Sequence, residues 1–135
     1  TNNPSFIATQ PKMASINAAL QVDLFGQVNA TRLRGKIHSG IGGSTDFLVG
    51  SMHSPGGQAL IAMLSWHPKA DCSTIVGLLG SPASATQPSV VITEQGIADL
   101  FGKSQEEQAR QLIDNAAHPI AREKLWREAK ELSLV

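Results

Sequence analysis

Three short, almost wholly apolar runs constrain the fold of this 135-residue chain most: Ala59 to Leu64, Ser73 to Leu79 and Ser89 to Thr93. Each is too brief for an independent helix, and Gly, Pro and Ser punctuate the chain between them. They therefore read as strands buried on both faces. Met13 to Asp23, rich in small and apolar residues, reads as a further strand, although its alanines leave a helix open. Leu24 to Asn29 then supplies a turn and a return strand. Thr45 or Asp46 is placed to cap a short helix over Phe47 to Met52, which Ser54-Pro55-Gly56-Gly57 stops. Gly80 to Gln87, containing Pro82, reads as a loop.

The texture changes after Thr93. Ser104-x-x-Glu107 is a capping-box signature, followed by Ala109, Leu112, Ile113 and Ala116 at helical spacing. His118-Pro119 begins a second helix, with Pro at the tolerated first position. Ala121, Leu125, Ala129 and Leu132 form its apolar stripe, widened by Trp126. Strand-rich segments followed by two amphipathic C-terminal helices indicate an α/β layered domain, its mostly buried strands covered by helices. With 41% apolar residues and no Tyr, the core must be built from Ala, Val, Ile and Leu.

Composition excludes several classes of function. Eleven basic and eleven acidic residues balance, and half of them lie between Glu106 and Glu131, the solvated faces of the last helices. No basic patch interleaved with aromatics exists, which argues against a nucleic-acid partner. No apolar stretch approaches the roughly 20 residues that span a membrane. Cys72 is the single cysteine, so no internal disulfide forms, in keeping with a reducing cytoplasm. The chain opens on Thr1-Asn2-Asn3-Pro4 rather than Met, as expected of a segment from within a longer protein.

Three places are candidates for chemistry. The first is Ser39-Gly40-Ile41-Gly42-Gly43-Ser44-Thr45-Asp46-Phe47. Its glycines are free to take positive φ and to approach a ligand closely, and consecutive amides there can converge on a phosphate or an oxyanion. A tight turn between two elements is the plainer alternative. The second is Glu94, which follows the apolar run Val90 to Thr93 and precedes Gly96. Ligands of open α/β sheets bind beyond the carboxyl ends of strands, where Glu94 falls; a surface-loop acid is the alternative. The third is Asn2-Asn3-Pro4, which by itself reads as a frayed end.

Other patterns carry little. Gly96 to Ser104 ends in Gly-Lys-Ser, but five residues separate its glycines where a P-loop needs four, and they read as helical. Gly40-x-Gly42-x-x-Thr45 lacks the third small residue of a dinucleotide fingerprint. His38, His53, His67 and His118 have no ligand spacing, so no metal is expected. No Gly-x-Ser-x-Gly elbow supports a serine triad.

At these same places the chain resembles the C-terminal domain of the acetyl-CoA hydrolase/transferase family, within the class I CoA-transferases. The resemblance rests on Thr1-Asn2-Asn3-Pro4, Ser15-Ile16-Asn17-Ala18-Ala19-Leu20-Gln21-Val22-Asp23-Leu24 and Gly26-Gln27-Val28-Asn29. It continues through Ser39 to Phe47, Val91-Ile92-Thr93-Glu94-Gln95-Gly96-Ile97-Ala98-Asp99-Leu100, Gly102-Lys103-Ser104 and Ala117-His118-Pro119. It covers essentially the whole chain, residues 1–135, in the family's order. The implied fold is the CoA-transferase (NagB/RpiA-like) type of layered sheet.

The resemblance implies an enzyme that moves CoA between an acyl-CoA and a carboxylate such as acetate, or water, through a glutamyl-CoA thioester. Coenzyme A is then a substrate, with no permanently bound cofactor. Gly43 matches the position whose amide contributes to the oxyanion hole, with Gly42 beside it, and Glu94 and Asn2 match residues lining the acyl or carboxylate pocket. The nucleophilic glutamate of the family lies upstream of the segment matching Thr1, so an N-terminal domain of the same polypeptide is an expected partner and the isolated segment is expected to be inactive. A homodimer is left open. Family members carry a CoA-binding lysine in an Ala-Lys-Gly-Gly stretch; here Lys69 is displaced by one residue, leaving a solvated lysine as the alternative. The competing readings are a non-catalytic acyl-CoA-binding or subunit-interaction module and a nucleotide-phosphate binder using the glycine turn.

Overall fold

The computed structural model describes residues 2–40, 42–80, 83 and 87–135. Thr1, Ile41 and Pro82, which figure in the readings above, lie outside them. The chain begins with a short helix, α1 (Pro4–Ala8), where the sequence suggested only a frayed end. Asn3 is its N-cap, its Oδ1 accepting from the amides of Ser5 at 2.9 Å and Phe6 at 3.3 Å, and Pro4 holds the first turn.

Met13 to Asp23 is two strands rather than one, β1 (Ala14–Asn17) and β2 (Gln21–Asp23), in different sheets. β3 (Val28–Asn29) returns along β2 around a turn built on the buried carboxylate of Asp23. Asp23 Oδ1 accepts from the Phe25 and Gln27 amides at 3.0 and 2.9 Å, and Oδ2 from Gln27 Nε2 at 2.8 Å and the Leu79 amide at 3.2 Å. Gly26 supplies the positive φ (79°) that this turn requires.

A small hairpin follows, β4 (Arg32–Leu33) and β5 (Lys36–Ile37), turning on Arg34 and Gly35, both at positive φ. Helix α2 (Ser44–His53) leads through Ser54 to Gly57 into β6 (Gln58–Ala62). The hairpin β7 (Trp66–His67) and β8 (Cys72–Ser73) comes next, and then β9 (Ile75–Val76), to which the Ser73 to Leu79 run contracts. β10 (Val90–Thr93) pairs back on β11 (Gly96–Asp99). The residues after Gly96, read as helical from the sequence, are therefore a strand, because cross-strand pairing with β10 outweighs the weak local preference. Capped by Ser104, α3 (Gln105–Gln111) runs into a π-helical turn (Leu112–Ala116), and α4 (Pro119–Glu131) closes the chain.

The main sheet has the order β1-β6-β10-β11, parallel but for the last strand. A second sheet, β3-β2-β9, packs its Val22, Val28 and Ile75, with Leu24 of the β2–β3 turn, into the same core as Ala59, Ile61 and Val91 of the first. Leu48 of α2, Ala109 of α3, Leu112 and Ile113 of the π turn and Leu125 and Ala129 of α4 complete that core. The burial of β6 and β10 alternates along each strand, where the sequence predicted cover on both faces.

The capping box forms as expected: Ser104 Oγ accepts from the Glu107 amide at 3.2 Å and Glu107 Oε2 from the Ser104 amide at 2.8 Å. Ser104→Ala should cost about 1 kcal/mol in urea unfolding, and a shift within error would show that the box is dispensable.

Candidate active site

Parallel strands set one end of the main sheet apart. β1, β6 and β10 all run toward it, and it receives the segments after Asn17, Ala62 and Thr93. The C-terminus of α2 joins the start of β6, so its N-terminus points back to that same end. α1, which feeds β1 and packs on α2, is oriented likewise. Topology alone thus brings Asn2, Gly43 and Glu94 to the carboxyl end of the sheet, although 92 positions separate the first from the last.

Gly43 is the N-cap of α2, with no side-chain hydrogen bond capping the helix. Its φ is −79°, so backbone handedness does not explain this glycine. Space explains Gly43. A Cβ there would lie 2.9 Å from Asn2 Cγ and closer still to Asn2 Nδ2. The first-turn amides of α2 lack intrahelical partners and carry the positive end of the helix dipole, an arrangement suited to negative charge. Gly42 is exposed on the wall of a cavity of about 620 Å³ between the β4–β5 hairpin and the start of α2. Arg32, Ser39, Ser44 and Thr45 share that wall. Arg32 and the hairpin went unread in the sequence, although Arg34-Gly35 is a turn signal.

Glu94 occupies the turn between β10 and β11. Its Oε2 accepts from the Ser65 amide at 2.8 Å and its Oε1 from the Ser65 hydroxyl, with Gln95 Nε2 at 3.4 Å. Desolvation of the carboxylate against Ser65 pushes its pKa up, but the Ser65 hydroxyl and amide, the Glu94 amide and the Gln95 side chain outweigh it and hold the value at about 2. Glu94 is therefore an ionised hydrogen-bond acceptor at neutral pH. Ser65 is buried and follows β6 as Glu94 follows β10; the Ala62–Ile92 pairing makes them neighbours. No local signal in the sequence marks Ser65, because only that pairing brings it 29 positions forward.

The turn is braced from behind. Thr93 Oγ1 donates to the carbonyl of Ala116 at 2.7 Å and accepts from the Gln95 amide at 3.1 Å. Gly96 has φ 152°, and a Cβ there would meet the Asn115 carbonyl oxygen at 2.7 Å. Lys69 lies at the tip of the β7–β8 hairpin, exposed, on the rim of a cavity of about 380 Å³ that Ala18, Ala62, Met63 and His67 also line. Asn2 and Gly43 are brought into direct contact; the hydrogen bonds of Glu94 run to Ser65 and Gln95 instead. Among the described residues no group of three or more His, Cys, Asp or Glu side chains is gathered to hold a metal ion, and no helix is long and apolar enough to cross a membrane.

Lowering Glu94 to about 2 from its usual 4.5 has a signed consequence. The Ser65 contacts stabilise the fold in full above the unfolded carboxyl's value, and that contribution is lost as pH falls through about 2. An NMR titration of the Glu94 carboxyl should show this low midpoint, and Ser65→Ala should return it toward 4.5. An unchanged midpoint in the variant would remove Ser65 as the cause.

The sequence model of the acetyl-CoA hydrolase/transferase C-terminal domain matches residues 1–129. The chain belongs to the acetyl-CoA hydrolase/transferase family. Within it, the chain is 43% identical over 134 residues to a 4-hydroxybutyrate coenzyme A transferase of Clostridium kluyveri, covering 96% of this chain and 31% of that protein. An acetyl-CoA hydrolase of Kluyveromyces lactis is 36% identical over 126 residues, covering 88% of this chain and 23% of the hydrolase. The crystal structure of RipA from Yersinia pestis superposes with a TM-score of 0.88 at 36% identity, covering 99% of this chain and 31% of RipA. The layered α/β fold expected from the resemblance is thus the fold of the family. The chain spans about 31% of the length of the first of these relatives.

Proposed function

We propose that this chain is the C-terminal domain of an acyl-CoA hydrolase or CoA-transferase whose nucleophilic glutamate lies in an upstream portion of the polypeptide. The observation that carries the reading is the contact of Asn2 with Gly43 at a helix N-terminus without a side-chain cap, at the sheet end that also holds Glu94.

In this scheme the upstream carboxylate attacks the thioester carbonyl and the CoA thiolate leaves, giving an acyl-glutamyl anhydride. The thiolate then attacks the glutamyl carbonyl and releases the acyl group as its carboxylate, leaving a glutamyl-CoA thioester. An acceptor carboxylate, acetate or a close relative, reverses the sequence; water instead hydrolyses the thioester. Each addition puts negative charge on a carbonyl oxygen, which the Gly43 amide and the α2 N-terminus would stabilise. Asn2 would hold the acyl or carboxylate group beside that amide. Ionised Glu94 repels a bare carboxylate, so it would favour the uncharged thioester and anhydride, and an acceptor carboxylate would be aligned beside it only through a donor such as Asn2. Lys69 would meet the CoA phosphates at the rim. The same proposal includes a cytoplasmic setting, in keeping with the lone Cys72, a role in acetate metabolism, and homodimer formation.

The test is an exchange assay on the full-length protein with labelled acetate and a panel of acyl-CoAs, beside this chain alone. Full-length exchange with no turnover by the isolated chain is the expected outcome. No exchange or hydrolysis by the full-length protein would leave a binding or interaction module.

A further inference from the structure

The main sheet is finished on one side only. Register places Ile16, Leu60, Ala62, Val90, Ile92 and Ile97 on a common face, opposite the buried row that contains Ser15, Ala59, Ile61, Val91 and Ala98. On this back face Ile16 is 71% exposed and Ile97 59% exposed, and the four residues between them are only half-buried. Two register rows cross this face: Ile16, Leu60 and Val90 lead to an exposed Asp99 at one margin, and Ala62 and Ile92 lead to Ile97. So much exposed apolar surface over parallel strands is not the solvent face of an ordinary sheet, and all-parallel sheets occur almost only with both faces covered. β1 is also an edge strand, with no neighbour on its outer side among the described residues. At its last residue, Asn17 Nδ2 is buried without an acceptor.

We propose that the back face and the free edge of β1 together seat the preceding part of the same polypeptide, which adds a parallel strand to β1 and covers this apolar surface. The inference rests on the reading of this chain as a C-terminal domain, and on relatives that carry more than two thirds of their length outside the matched segment. Handedness points to the edge. The step from β1 through α2 to β6 moves away from it, and α1, which feeds β1, packs on α2. Crossovers between parallel strands are right-handed in about 98% of cases, so helices of one layer advance the sheet in one direction. A parallel strand ahead of α1 therefore falls on the free side of β1. A second copy meeting β1 through a two-fold axis would pair it antiparallel instead.

The test uses the full-length protein, with its other reactive cysteines replaced, carrying Ile16→Cys, Ile97→Cys or, as a control on the charged face of α4, Glu123→Cys. Maleimide labelling at the first two sites should be at least about tenfold slower than at the third, as for side chains reached only by local opening. Hydrogen exchange of the unsubstituted protein should show the Ala14–Asn17 amides protected as fully as those of β6. Equal labelling at all three sites, or rapid exchange at alternate β1 amides, overturns the inference. Protection that vanishes on dilution assigns the face to a second copy and overturns it equally. Neither readout depends on turnover, so a protected but inactive protein would refute the proposed chemistry and leave this inference standing.

Discussion

Gly43→Val in the full-length enzyme should lower kcat by about 10²–10³, the usual cost of one lost oxyanion donor, while CoA affinity changes little. The Gly43 backbone is unstrained, so the substitution acts through space: its Cβ would push on Asn2, already 2.9 Å away at Cγ. Gly43→Ala should show the same effect in milder form. Because Asn2→Gly removes the clash together with the side chain that would hold the acyl or carboxylate group, the two substitutions combined should cost less than the sum of their separate losses, a coupling that a double-mutant cycle measures directly. Stability should fall by no more than about 1 kcal/mol, the scale of an N-cap change. Near-normal turnover in Gly43→Val would return the glycine turn to a mere connection.

Glu94→Ala should slow acyl transfer by about 10²-fold, the scale of an approximately 1 Å misplacement at a reacting centre. The upstream nucleophile would remain, so mass spectrometry after acyl-CoA treatment should still detect partial thioester on a glutamate outside this chain. The hydroxyl and amide of Ser65 lose their acceptor in this variant. Ser65 is buried beneath an exposed Glu94, so removing the Glu94 side chain opens both donors to water and the stability change should stay near or below about 1 kcal/mol. Unchanged kinetics with every acceptor would make Glu94 a loop acid whose hydrogen bonds serve only the turn.

The parts of the fold that sequence reasoning located are those decided locally. The capping box of Ser104 and Glu107, the Pro119 start of α4 and the apolar runs of β6 and β10 depend on neighbours along the chain. The glycine turn and Glu94 were legible for the same reason, each having its own short signature. What escaped depends on pairing between distant segments. Met13 to Asp23 divides because its two halves find partners in different sheets, and Ile97 to Asp99 becomes a strand because β10 lies beside it. Ser65 joins the site through the β6–β10 register alone. α1 is a different case: Asn3 and Pro4 make a local helix start, but Asn2-Asn3-Pro4 by itself reads only as a frayed end.

The turn that carries Glu94 contains two residues, because Thr93 pairs directly with Gly96. One end is tied to the Ala116 carbonyl, and Asn115 presses on the other. Such a loop has no slack, and one inserted residue would break the pairing or swing the acid away from Ser65. Descendants of this sequence are thus held to this loop length, and to glycine at position 96, where any Cβ would meet the Asn115 carbonyl. The hairpin from Leu33 onward is exposed along its run to Gly40. Lengthening that segment would reshape the adjoining cavity without disturbing the acid, so insertions and deletions should accumulate there rather than in the turn.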